Sequence, residues 1–96
     1  MAIIRVTVRT FQNLEHAELF LSIGASTKDS LKKASLDAKF TISQSISQPN
    51  QVVSVWEYKD KDHMNEVREF LSAQSRLPNS LAPKEIAYET QVIHSS

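Results

Sequence analysis

The sequence predicts a single α+β domain whose elements run strand, helix, strand, strand, helix, strand. Three observations carry this prediction: stretches that alternate with period two, apolar stripes at helical spacing between them, and Gln48-Pro49-Asn50 where a hairpin has to turn. At 96 residues, 41% hydrophobic and 23% charged, the chain fits one domain over 1–96 and leaves no room for a second.

The first strand runs from Ala2 to Phe11. Ile4, Val6 and Val8 point one way; Arg5, Thr7 and Arg9 point the other, with Ile3 and Phe11 at the ends of that second face. Asn13 then serves as an N-cap, and Leu14, Ala17 and Leu21, flanked by Phe20, repeat at helical spacing. Gly24, the only glycine, is expected to end that helix in a left-handed conformation. Ser26-Thr27 followed by Asp29 opens a shorter helical piece that carries Leu31 and Ala34 and ends near Leu36. Lys32, Lys33 and Lys39 alternate with Asp29 and Asp37, the pattern of a solvated face.

Ala38 to Ser47 alternates again, with Phe40, Ile42 and Ile46 on one side and Thr41, Ser43, Ser45 and Ser47 on the other. Gln51 to Tyr58 follows as the second arm of a hairpin. Asp60 or Asp62 caps a helix with Met64, Val67, Phe70 and Leu71 on its apolar side. Pro78 and Pro83 bracket a loop, and Glu85 to Ile93 is the last strand. This order is the ferredoxin-like one: a four-stranded antiparallel sheet with helices on one face. The face holding Ile4, Val6, Val8, Phe40, Ile42, Ile46, Val53 and Val55 is assigned to the helices. The other holds Val52, Trp56 and Tyr58 beside Arg5, Arg9, Ser43 and Ser45, with Ile3 and Phe11. So many apolar groups exceed what a monomer leaves in water, so a second copy is expected to cover that face.

Composition excludes several function classes. Eleven basic and eleven acidic residues give a formal net charge of zero, so there is no long-range field to recruit nucleic acid or an anionic membrane. Without cysteine there is no disulfide, thiol nucleophile or thiolate metal site. No apolar run nears the roughly 20 residues of a membrane helix, and no leader pattern precedes the first strand. The expectation is a cytoplasmic protein that contacts neither membrane nor nucleic acid. Its single glycine argues against a glycine-rich phosphate loop, and no pair of histidines has the spacing of a helical metal site, so no cofactor and no metal are expected.

A hairpin ending in Val55-Trp56-Glu57, followed by the charged turn Lys59-Asp60-Lys61-Asp62 and an amphipathic helix, resembles the dimeric α+β barrel superfamily, in particular its antibiotic-biosynthesis-monooxygenase-like group. The resemblance spans nearly the whole chain. It implies a homodimer whose two sheets face each other, and a small pocket in each subunit between sheet and helices. Members with cofactor-free oxygenase or haem-degrading activity carry an asparagine on the first strand and a histidine or tryptophan on the second helix. Here the first strand offers Arg5, Thr7 and Arg9, the helix position holds Asn65, and His63 is two residues out of register. Such an offset turns a helical side chain to another face. The resemblance therefore implies the fold without the oxygenase residues.

Five residues are candidates for holding a ligand. Trp56 and Tyr58 could stack on a flat, apolar or aromatic small molecule, or simply build core and dimer. Arg5 and Arg9 could bind a carboxylate, or form ion pairs with Glu89 or another acid of the last strand or of a second subunit. His63 could act as a base, or decorate the capping region beside Asp60 and Asp62. The leading reading is a small homodimeric barrel protein that binds a small ligand near Trp56. A cofactor-independent monooxygenase or isomerase acting on an aromatic acid, and a structural or regulatory interaction module, are the alternatives.

Overall fold

The computed structural model describes residues 1–74 and 82–96. The elements are β1 (Ile3–Thr10), α1 (Leu14–Gly24), α2 (Thr27–Lys33), β2 (Lys39–Gln44), β3 (Gln51–Tyr58), α3 (Lys61–Gln74) and β4 (Lys84–Gln91). The strands form one antiparallel sheet in the order β2-β3-β1-β4. The ferredoxin-like order is thus present, with the first helical segment split into α1 and α2. Pro78 lies outside the described residues.

Capping follows the side chains. Asn13 Oδ1 accepts the His16 N–H at 2.9 Å at the head of α1, and Asp60 Oδ1 accepts the His63 N–H at 2.8 Å at the head of α3. Gly24 departs from expectation: it is the last residue of α1, and it has no positive φ. Its smallness serves a close approach instead, because a Cβ there would come within 3.2 Å of Ile42 Cδ1 on β2. The left-handed residue is Ser35, with φ 57°. It ends α2 in a Schellman motif, in which Leu36 N–H bonds to Leu31 C=O at 3.0 Å and Ser35 N–H to Lys32 C=O at 3.1 Å. Leu36 then packs against the core cluster that contains the buried Leu31.

The hairpin is shorter than its alternation suggests. β2 stops at Gln44, where Ser45 N–H bonds to Gln51 C=O at 2.9 Å, and Ser45 to Asn50 form the connection. Asn50 anchors it by exchanging bonds with Phe11, backbone N–H to C=O at 2.9 Å and side-chain amide to C=O at 2.8 Å. Ile46, expected in the core, is fully exposed on this connection.

The register reverses the expected assignment of the two sheet faces. Ile3, Arg5, Thr7 and Arg9 lie opposite Tyr58, Trp56, Ser54 and Val52, and Trp56 and Ser54 lie opposite Phe40 and Ile42. These residues face the helices. Leu31, Met64, Val67, Phe70 and Leu71 pack with Tyr58, Trp56, Phe40 and Ile3, while Ala17, Phe20 and Leu21 pack with Phe11, Val52 and Ile42. Large rings fill the gap between a sheet and its helices, which β-branched residues alone do not span. Phe40 and Ile42 were grouped with Val53 and Val55, but the pairing puts them on the opposite side.

The other face carries Ile4, Val6, Val8, Val53, Val55, Ile86 and Tyr88, joined across the strands as Val6 with Val55 and Tyr88, and Val8 with Val53 and Ile86. None of these belongs to either core cluster. Ile86 and Tyr88 are 58% and 59% exposed, and nothing in the chain lies over them among the described residues.

Candidate functional site

On the helix side, one row crosses all four strands: Phe40 on β2, Trp56 on β3, Arg5 on β1 and Glu89 on β4. The Trp56 indole stacks on Phe40 with centroids 4.4 Å apart and planes at 19°. Its other neighbour is Tyr58, 5.9 Å away and within 7° of parallel. Alternation places Trp56 and Tyr58 on the same side of β3, and the β2–β3 register brings Phe40 opposite Trp56. Tyr58 is buried, and desolvation pushes its phenol up to about 12, with Arg68 and Arg5 pulling the other way and Glu89 adding slightly to the rise.

Both arginines have carboxylate partners on β4. Arg5 Nη1 lies 2.6 Å from Glu89 Oε2, and Arg9 Nε lies 2.9 Å from Glu85 Oε1. Arg9 also donates from Nη1 to Ser54 Oγ at 3.1 Å and sits 4.9 Å above the Phe20 ring. The pairing expected with Glu89 of the last strand is present, and Glu85 completes a second pair that the sequence left unassigned. Between the two pairs lie Thr7 and Ser54, both buried.

His63 occupies the first turn of α3, and both of its ring nitrogens are engaged. Lys59 N–H donates to Nδ1 at 3.0 Å, and Nε2 lies 3.1 Å from the Asp37 carbonyl oxygen. Because Nδ1 is an acceptor, the neutral ring carries its hydrogen on Nε2 and donates it to Asp37. The ring meets Tyr58 edge-on at 5.8 Å. While these bonds stand, the imidazole has no free lone pair to act as a base. Asn65, next to the buried Met64, is exposed.

A groove of about 1,080 Å³ opens at the end of the sheet where β2 begins. Phe40, Tyr58 and His63 line it from the helix side, Ile4 and Val55 from the open face, and Lys28, Lys39 and Lys59 stand around it. A shallower hollow of about 470 Å³ lies against Ile3, Met64 and Gln91. Of the five candidates, Tyr58 and His63 line the groove, and Trp56 backs it through its stack on Phe40 and Tyr58. Arg5 and Arg9 line neither hollow. Phe40 was missed as a site residue, although counting the hairpin back from Gln51 puts it opposite Trp56. Among the described residues, no group of three or more histidines and carboxylates could hold a metal ion, and no helix is long and apolar enough to cross a membrane.

Solved structures share this architecture over nearly their whole length. A dimeric ferredoxin-like protein from an uncultured marine organism superposes with a TM-score of 0.79 at 21% identity, covering 99% of this chain and 98% of the other. The fold is that of the dimeric ferredoxin-like proteins. SnoaB, a cofactor-independent oxygenase from Streptomyces nogalater, matches with a TM-score of 0.70 at 13% identity over 98% of this chain and 95% of its own. Rv0793 from Mycobacterium tuberculosis matches at 0.71 and 10% identity, with 98% of each chain covered. These neighbours agree with the superfamily that the Val55-Trp56-Glu57 pattern resembles, and at such identities they establish its fold alone. No family model and no curated protein sequence matches the chain.

Proposed function

We propose that the protein is a homodimer that binds a small, flat, apolar or aromatic molecule in the groove beside the Phe40, Trp56 and Tyr58 ring stack. The observation that carries this reading is the position of the groove. One wall is the aromatic stack and His63, and the other is formed by Ile4, Val55, Thr41 and Glu57 on the open sheet face. A second copy seated on the open face would close the side that the single chain leaves to solvent. It would also cover Ile86 and Tyr88, which a monomer exposes at a hydrophobic cost of about 25 cal/mol for each Å² of apolar surface. Arg5 and Arg9 serve in this reading as sheet ties to Glu89 and Glu85 rather than as an anion site. The oxygenase alternative has the fold of SnoaB behind it and no residue, since Asn65 is exposed and both nitrogens of His63 are engaged.

Titrating the protein with a panel of aromatic acids and phenols, while following the fluorescence of the only tryptophan, tests the binding half of the proposal. Saturable quenching that weakens roughly tenfold in Phe40→Ala is expected, the factor that losing one ring contact of about 1.4 kcal/mol gives. Quenching that rises linearly with every compound, and is the same in Phe40→Ala, would overturn it.

A further inference from the structure

His63 ties the first turn of α3 to the end of β3 and to the residues just before β2. Its Nδ1 holds the Lys59 amide at the end of β3, its Nε2 holds the Asp37 carbonyl just before β2, and its ring edge bears on Tyr58. Its own backbone amide is held by Asp60 Oδ1. Asp37, Tyr58, Lys59 and His63 all line the groove, so this knot is part of its lining. Tyr58 in turn lies parallel to Trp56, which stacks on Phe40, so a run of rings leads from His63 to the middle of the sheet.

We infer that His63 is a pH-sensitive latch, whose protonation releases the Lys59 amide and loosens the groove there. The chemistry is one proton moving from solvent to Nδ1. The neutral ring must present a lone pair there, because the Lys59 N–H points at it from 3.0 Å. In the imidazolium both nitrogens are donors, and two N–H groups would then face each other, so the bond to Lys59 has to break. Nε2 remains a donor, and the cation can keep Asp37 only by turning away from Lys59. The tie to Lys59 is lost in either case. Imidazole is the side-chain group that ordinarily exchanges a proton between about pH 5 and 8.

The charges around the ring do not decide the outcome by themselves. Lys28 of α2, Lys39 at the start of β2 and Lys59 after β3 share the groove with His63, as do Asp37 and Glu57, and Asp60 caps the turn beneath it. Three ammonium groups stand against three carboxylates. The local mismatch of donor with donor at Nδ1 is therefore the determining interaction, and it exists only in the protonated state.

The latch is tested on unliganded protein, so its outcome is independent of whether an aromatic ligand binds. Amide exchange and ring-proton NMR are recorded from about pH 8 to about pH 5, alongside the emission of Trp56. In the wild type, the Lys59 amide should lose roughly tenfold in protection, after correction for the intrinsic pH dependence of exchange, with the midpoint of the His63 ring resonances. Trp56 emission should shift with the same midpoint. His63→Asn places a non-titrating acceptor near the Nδ1 position, and both changes should vanish in it, although His16 and His94 remain. A Lys59 amide that stays protected while the His63 ring titrates would overturn the inference, as would a Trp56 shift that persists undiminished in His63→Asn. If that variant does not fold, the wild-type comparison of Lys59 with the His63 ring decides alone.

Discussion

The Trp56 indole lies flat on the Phe40 ring, 4.4 Å between centroids and directly across the β2–β3 ladder. The pair joins the edge strand to the core and makes the aromatic side of the groove, so fold and site share these rings. Trp56→Phe keeps an aromatic face in place and should cost about 1 kcal/mol. Trp56→Ala removes the stack with Phe40 and Tyr58 together and should cost roughly 3 kcal/mol. Urea unfolding followed by circular dichroism measures both; equal losses would mean that a ring kept at position 56 contributes nothing.

Ser35 holds a left-handed conformation, φ 57°, that L residues reach only at a cost. Ser35→Gly relieves it, and should stabilise the fold by about 0.5–1 kcal/mol, read as a rise in melting temperature. Destabilisation would show that the serine side chain contributes more than the backbone strain removes.

Gly24 answers to a different constraint. Gly24→Ala improves helix propensity by about 0.5–1 kcal/mol but brings a Cβ within 3.2 Å of Ile42 Cδ1. The single change is therefore expected to be near neutral, and to become stabilising by roughly 0.5–1 kcal/mol in an Ile42→Val background, where Cδ1 is gone. Additive effects in this double-mutant cycle would remove the close contact as the reason for glycine.

The Arg5 and Glu89 side chains are 18% and 40% exposed, so their ion pair is partly screened. A double-mutant cycle with Arg5→Leu and Glu89→Leu should give a coupling of about 0.5–1 kcal/mol that shrinks in high salt. If Arg5 instead held an anionic ligand, Arg5→Leu would abolish aromatic-acid binding while that coupling stayed near zero.

Burial raises the Tyr58 phenol to about 12 from an ordinary value of 10.0. The neutral form is therefore favoured by folding: its contribution is fully present below pH 10 and is lost as pH climbs toward about 12, because the unfolded chain gives up its proton first. Absorbance titration near 295 nm should show one tyrosine ionising late, and Tyr58→Phe should flatten the alkaline loss of stability. An unchanged alkaline profile in Tyr58→Phe would place the base sensitivity elsewhere.

Much of this architecture is legible in the sequence. Period-two runs and the caps Asn13 and Asp60 give the element order, and with it the fold. Which sheet face turns inward is not legible from apolar content, because on β1 the more apolar face, Ile4, Val6 and Val8, is the open one and the face under the helices carries Arg5, Thr7 and Arg9. Val6, Val8, Val53 and Val55 look like core, yet Arg5 and Arg9 are the residues beneath the helices, their charges met by Glu89 and Glu85 from a strand 84 and 76 residues away in sequence. That pairing needs the register of β4, which no local pattern supplies. Ser35 shows the same limit on a smaller scale, since the chain's only glycine draws attention to position 24 and the left-handed turn falls eleven residues later. Trp56, Tyr58 and His63 are legible as candidates; Phe40 is not, because it joins them only through the β2–β3 register.

The account rests on the open face of Val6, Val8, Val53, Val55, Ile86 and Tyr88 being covered by a second copy. Native mass spectrometry of the wild type and of Val55→Lys tests this most directly. A dimer for the wild type and a folded monomer for Val55→Lys is the expected result. A wild type that remains monomeric at micromolar concentration would contradict it, leaving Ile86 and Tyr88 in water with no partner.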